Sequence, residues 1–429
     1  MRRSVAYDIA RLFLGPLHSS PRGIDRVDLA TALHFFSEHP DSSFGVLPTP
    51  WGVRLYEADR VRRGLDHLQM LWAERNETES DPAWSALLAA LTGDATPTSP
   101  GDAPVHRRRG KSRRLLGSLG ATGFSLGRAI RSALPRGAVY LNVGQIGLAV
   151  PALHGWLANR PDVAAVFMLH DVIPLERPDW VEPSSPRLHA RMVETAARHA
   201  DALIATTRHA SDRVALALAG HGRRDVPTCV RALPLPEVLA VPRMAHAALA
   251  DCHYFVTCGA VEPRKNHALL LDVWRRLTAR LGTSAPHLVI AGSHGWQGQD
   301  ILRPLAEDAA LRGRVHHAEG LPSPALARLM LGAAGVLCPS FAEGFGLTLL
   351  EANALGVPTI ASDIAAHREI ADASTVLLPP DDAEAWDAAI SKLPIGGLRA
   401  TPQIPDDRRE TAYCRDIEAF LDLCADRKA

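Results

Sequence analysis

The sequence predicts an α/β protein of two domains, each a parallel, doubly wound sheet with helices on both faces. Four observations carry this. From Tyr254 onward, short apolar strands (253–260, 287–292, 314–318, 335–340 and 357–361) alternate with amphipathic helices (267–281, 299–311, 323–333 and 346–355), the order that a parallel sheet requires. The strands read as near-continuous apolar runs, as expected for a sheet covered on both sides. The first half repeats the theme less regularly, with strands at 3–10, 138–144, 163–171 and 201–207, a helix opening at Gly23 and another after 207. Finally, the proline-bearing stretch LPLPEVLAVP (233–242) interrupts the pattern and reads as a hinge between two Rossmann-like domains.

These elements set the boundaries: a first domain over 1–235, a hinge over 236–252, a second domain over 253–405 and a final helical segment over 406–429. Between 76 and 136 the regularity fails. Pro, Ser, Thr and Arg dominate there, so the segment reads as a basic insertion of loops with one or two helices. No internal repeat on the order of 20 to 50 residues is visible, which argues against a solenoid.

Composition narrows the class further. A chain of 429 residues with 47% apolar content suffices for two cores. Lys plus Arg equals Asp plus Glu at 47 each, so no global charge footprint points to nucleic acid. The six cysteines (229, 252, 258, 338, 414 and 424) show no C-x2-C pairing and read as reduced thiols, neither a zinc cluster nor a disulfide framework. The opening MRRSVAYDIARLFLGPL carries two arginines and a mildly apolar run, but Asp8 and Arg11 interrupt it and no small-residue cleavage site follows. No segment approaches the ~18 unbroken apolar residues of a spanning helix. The expectation is a soluble or peripheral protein on the cytoplasmic side.

The most informative stretch is FAEGFGLTLLEA (341–352), in which Glu343 and Glu351 bracket a glycine turn of Gly344, Phe345 and Gly346. GVLCPS before it is a buried strand, and Leu347, Leu350, Ala354 and Leu355 after it keep helical spacing until Gly356. A strand thus delivers a glycine loop to a helix N-terminus, whose exposed amides and positive dipole end favour an anion. Upstream, GAVEPRKNH (259–267) sets Arg264 and Lys265 between a strand and a helix. Taken singly, each glutamate reads equally as a solvated helix-end carboxylate, and an RK pair before a helix as surface charge; the two patterns in order, at strand ends, favour a site.

Together these motifs resemble the E-x7-E signature of retaining glycosyltransferases of the GT-B fold, the group that includes bacterial mannosyl- and rhamnosyltransferases. The resemblance implies two Rossmann-like domains facing a cleft, with the last segment crossing back onto the first domain. It assigns Arg264 and Lys265 to the donor diphosphate, Glu343 to the donor sugar, Glu351 to the ribose, and Gly344, Phe345, Gly346 and Leu347 to the donor loop. In the first domain, GIDRV (23–27) after the first strand resembles a subgroup whose glycine turn, here Gly23, faces the donor phosphate and the acceptor. A helix start after Pro and Gly is the plainer reading of the same residues. His170, at the carboxyl end of the strand VAAVFML, matches the family histidine that reaches donor-sugar hydroxyls; a lone histidine there is otherwise a structural residue. Asp171 either orients His170 or faces the acceptor, and Asn142, which ends another strand at the same edge, is expected on the acceptor side.

The resemblance implies transfer of a sugar, with retention, from a nucleotide diphosphate sugar to a glycan or lipid-linked glycan in surface polysaccharide biosynthesis. GIDRV tilts the donor toward GDP-mannose. No DxD motif stands at a suitable strand end, so no metal and no cofactor are expected, and the paired cations take that place. Nucleotide-sugar epimerases and phosphorylases of this fold, and a non-catalytic scaffold or glycan-binding partner, are the alternatives. The run HRRRGKSRR supplies Arg107, Arg108, Arg109, Lys111, Arg113 and Arg114. With few stacking aromatics nearby, it suits an anionic membrane surface better than nucleic acid, a solvated loop being the plain alternative.

Overall fold

The computed structural model describes residues 3–15, 21, 23–73, 81–93, 117, 120, 122–123, 125–235, 244–396 and 404–428. The basic run at 107–114 lies outside them, as does the hinge segment 236–243. The described chain forms two sheets. The first comprises β1 (Val5–Asp8), β2 (Ser43–Thr49), β3 (Gly52–Glu57), β4 (Arg128–Ala129), β5 (Val139–Asn142), β6 (Ala164–Met168), β7 (Ala202–Ala205) and β8 (Thr228–Val230). The second comprises β9 (Tyr254–Cys258), β10 (His287–Ala291), β11 (Val315–Ala318), β12 (Gly335–Cys338), β13 (Thr359–Ser362) and β14 (Thr375–Leu378).

The second sheet runs β11-β10-β9-β12-β13-β14 and is parallel throughout. The direction in which successive strands are added reverses between β9 and β12. The first runs β4-β3-β2-β1-β5-β6-β7-β8, parallel from β2 to β8 and antiparallel at the β4 edge. Strands β1, β5, β6, β7, β12 and β13 are buried along their whole length, as their unbroken apolar runs require.

The structure adds elements that the pattern did not indicate. The hairpin β2–β3 reads in sequence as a break because Pro48 and Pro50 interrupt it; Pro48 lies beyond Val46, the last residue paired with β1, where the strand has only one neighbour. The edge strand β14 is half-buried and too short to stand out. The helix expected over 299–311 is two short ones, Gly298–Leu302 and Pro304–Glu307, because Pro304 opens the second and cannot continue the first. Within the insertion, Asp81 caps the helix Pro82–Thr92 by accepting from the Ala83 and Trp84 amides. Trp84 is buried with its ring 5.6 Å from that of His246, so this helix leans on the chain entering the second domain.

The last helix, Glu410–Asp426, packs on the first domain. Tyr413, Cys414, Ile417, Leu421 and Cys424 form its buried stripe, and ion pairs fasten it: Arg3 to Asp426 at 2.6 Å, Arg231 to Asp416 at 2.8 Å. All six cysteines are free. No described helix is long and apolar enough to cross a membrane. One apolar cluster runs from Tyr7 and Phe35 through Trp84 to Val256 and Leu349, joining the domains behind the cleft.

Candidate functional site

Connections leave β9 and β12 in opposite directions, so the loops that follow them open a crevice at the carboxyl end of the sheet, where α/β proteins bind ligands. Two ties lock these loops together. Asn266, in the left-handed region at φ 56°, donates from Nδ2 to the Pro339 carbonyl at 3.0 Å and the Pro380 carbonyl at 2.7 Å, and the Phe341 amide donates to the Arg264 carbonyl at 2.9 Å. Gly346 holds φ 103° where the loop turns into the helix Leu347–Ala354, a conformation that disfavours a side chain. The crevice is one wall of a cleft of about 1380 Å³ whose other wall is the first domain. Leu347 and Thr348, whose first-turn amides have no acceptor within the helix, line it.

Arg264, Lys265 and Glu343 come together on this wall. Arg264 Nη1 donates to Glu343 Oε2 at 2.8 Å, and Lys265 Nζ to Oε1 at 2.5 Å; Ser340 Oγ also donates to Oε1, at 2.6 Å. Glu262 takes the other side of the Arg264 fork at 2.7 Å. Burial alone would raise the Glu343 carboxyl, but Lys265 and Arg264 outweigh it and hold the group well below the usual range, so it stays ionised. Its two oxygens have about four lone-pair directions, of which these donors use three, and the residue lines the cleft. The cations are thus fixed in place by Glu343 and Glu262, two carboxylates against two cations.

On the facing wall, His170 is buried, and its Nε2–H donates to the Val143 carbonyl at 3.0 Å. Burial pushes the ring down to about 4, so it is neutral at physiological pH, and with Nε2 protonated its Nδ1 lone pair is an acceptor. Asp171 lines the cleft beside it and accepts the Ile173 amide at 3.1 Å, an arrangement that turns the chain rather than orienting His170. Asn142 does not line the cleft: it is buried beneath, accepting the Gln145 amide at 2.8 Å, and Gln145 takes the lining position. Because β5 ends at Asn142, the residue caps its own turn.

Glu351 also differs from expectation. It lies behind the cleft wall, where Arg26 of the first domain donates to its Oε1 at 2.9 Å and to Ser323 Oγ at 3.0 Å. Burial raises this carboxyl and Arg26 opposes the rise. Arg26 is the arginine of GIDRV; its presence was visible in the sequence, its reach across the domains was not. Arg11, paired to Asp25 at 2.6 Å, also lines the cleft and had no sequence signal beyond charge.

The walls are in contact. Thr206 and Thr207 donate to the Gly344 carbonyl at 3.0 and 3.2 Å, and a side chain at Gly344 would meet the His170 carbonyl at 2.7 Å. A side chain at Gly23 would meet Leu347 at 2.5 Å, so the two glycine turns abut. Glu369 accepts the Arg208 and His209 amides at 2.7 and 2.8 Å, capping a first-domain helix from the second domain. Trp180 also stacks on Phe341 with centroids 5.3 Å apart, and the Arg177 guanidinium lies over the Trp180 ring at 3.3 Å.

Two Rossmann-like domains closing on a crevice with this loop chemistry constitute the GT-B glycosyltransferase fold. Residues 245–397 match the Glycosyl transferases group 1 family. The chain is 28% identical over 223 residues to the serotype-specific mannosyltransferase WbdA of Escherichia coli, a match covering 48% of this chain and 27% of WbdA. It is 31% identical over 158 residues to the O-antigen chain mannosyltransferase B of Escherichia coli, covering 37% of this chain and 41% of that one. The chain therefore spans well under half of these relatives' lengths. In fold it is similar to Anabaena HepE, solved with UDP and glucose, at TM-score 0.55 and 14% identity over 99% of this chain and 98% of that one. The α,α-trehalose 6-phosphate synthase of Burkholderia multivorans aligns over 100% of both chains at TM-score 0.55 and 13% identity.

Proposed function

We propose that the chain transfers a hexose, with retention at the anomeric carbon, from a nucleoside diphosphate sugar to a glycan or lipid-linked glycan in surface polysaccharide assembly. The observation that carries this reading is the Arg264–Lys265–Glu343 cluster where β9 and β12 diverge. Breaking the glycosidic bond develops negative charge on the departing diphosphate. Two cations already held in position, with the Leu347 and Thr348 amides, stabilise that charge without reorganising, and they stand where a divalent metal otherwise would. The free lone pairs of Glu343 and His170 Nδ1 accept donor-sugar hydroxyls. No protein nucleophile is assigned: the departing phosphate oxygen takes the acceptor hydroxyl proton as the new bond forms on the same face. GDP-mannose is the favoured donor, on the strength of the GIDRV pattern and the mannosyltransferases among the relatives. The acceptor is met on the cytoplasmic side, at an anionic membrane surface reached through the basic run.

Nucleotide release from GDP-, UDP-, ADP- and dTDP-sugars, with and without a glycan acceptor and with EDTA, tests the reading. Expected is turnover of GDP-mannose that rises with acceptor and survives chelation. Phosphate-dependent turnover, or interconversion of donor sugars without acceptor, would replace it by a phosphorylase or an epimerase.

A further inference from the structure

Away from the cleft, three donor groups converge where the returning helix Glu410–Asp426 meets the first domain. His34 sits near the end of the helix Gly23–Glu38, and His39 follows that helix directly, where the chain bends into Pro40–Ser42. Glu418 faces both. Its Oε1 lies 2.7 Å from His39 Nε2 and its Oε2 lies 3.6 Å from His34 Nε2. One ligand atom from each residue falls within 4.8 Å of the others, and the three side chains are only 13 to 15% exposed. We propose that His34, His39 and Glu418 form a binding site for one divalent transition-metal ion of the Zn(II) class.

The geometry and the donor set agree. An ion holding nitrogen and oxygen ligands at about 2.0 to 2.2 Å needs its donor atoms a little over 3 Å apart, within the span these atoms already cover. The two imidazole rings stand 5.5 Å apart at 87°, so they approach a common point from different directions instead of stacking. Two imidazoles with one carboxylate suit zinc, nickel or copper and disfavour magnesium, which prefers oxygen ligands. Beside them a small cavity of about 10 Å³ is lined by His39, Glu418 and Asp422, one helical turn beyond Glu418. That is room for about one water molecule, the usual fourth ligand of a three-residue zinc site. Arg3 lines the same cavity, but its guanidinium is engaged by Asp426 at 2.6 Å. The site joins two helices distant in sequence, so a bound ion fastens the returning helix to the first domain.

The test uses the full chain, stripped of metal, titrated with Zn(II) by calorimetry and melted with and without the ion. Expected is one tight equivalent, a melting temperature raised by about 2 to 4 °C in excess zinc, and no effect of Mg(II). The double variant His34→Gln/His39→Gln, and separately Glu418→Gln, which keeps an acceptor for the imidazoles and so preserves the fold, each lose affinity about tenfold or more. The pair His287 and His316, whose ring nitrogens lie 2.9 Å apart, is the control: His287→Gln/His316→Gln retains full binding. The proposal is overturned if the wild type binds no zinc, if the His34/His39 and Glu418 variants bind like wild type, or if only the His287/His316 variant loses the ion.

Discussion

At the scale of single residues, the site is a problem in fixed charge. Arg264 and Lys265 are oriented by Glu343, Glu262 and the Ala342 carbonyl before any ligand arrives. Removing one preorganised charge donor from such a place costs about a hundredfold or more in kcat. Arg264→Ala and Lys265→Ala should each show that loss in steady-state turnover, with circular dichroism unchanged; near-normal rates in both would remove the diphosphate assignment. A second residue-scale expectation concerns Asp28, buried beneath the first-domain wall with Tyr7 donating to its Oδ1 at 2.7 Å. Burial raises this carboxyl from 3.8 to about 8, the Tyr7 bond opposing it. The folded state keeps a proton that the unfolded chain has lost, so Asp28 drains stability as pH rises between those values, at about 1.4 kcal/mol per pH unit. Asp28→Asn, which still accepts from Tyr7, should match wild type near pH 4 in thermal unfolding and exceed it by a widening margin up to about pH 8; parallel profiles would contradict the shift.

At the scale of elements, the legible parts were those in which a motif falls on a regular strand–loop–helix unit. Glu343 and Gly346, and likewise Arg264 and Lys265, could be placed because strand and helix periodicity bracket them closely. Residues placed by a turn or by a long-range approach were not legible: Gln145 replaces Asn142 at the cleft because the Asn142 side chain is spent on the turn after β5, accepting the Gln145 amide, and Glu351 is met by Arg26 from another domain. The hairpin β2–β3 was hidden by prolines that only its sheet position makes tolerable. This geometry divides the two glutamates. Glu351→Gln removes the charge that holds Arg26, which lines the cleft, and should weaken binding of a bare nucleoside diphosphate by about tenfold through the displaced guanidinium. Glu343→Gln keeps an oxygen beside Arg264 and Lys265 and should depress sugar transfer more than it changes that affinity. Calorimetry showing equal weakening by both would end the division of roles.

At the scale of the whole molecule, the domains are held together by Thr206, Thr207 and Glu369. Net charge is zero, so attraction to an anionic surface has to come from a local cluster. Arg107, Arg108, Arg109, Lys111, Arg113 and Arg114 are the cluster proposed. Near a bilayer each cation contributes about 1 kcal/mol, and screening at physiological salt shortens the reach of that field to about 8 Å. Vesicles rich in anionic lipid should therefore sediment the protein at low salt and release it as salt rises. A variant with all six changed to Ser should stay in the supernatant throughout; equal sedimentation of both proteins would make the run a solvated loop.

The Trp180 ring, in contact with Phe341 of the opposite domain and the Arg177 guanidinium, gives the molecule an optical gauge of its own opening. Whenever the domains part to admit a donor, the indole exchanges an aromatic face for water, and its emission must shift to the red. Emission recorded against nucleoside diphosphate concentration in wild type, less that of Trp180→Phe, which reports the remaining seven of the eight tryptophans, follows that single contact. A difference spectrum that stays flat through saturation would mean that ligands enter with that contact closed.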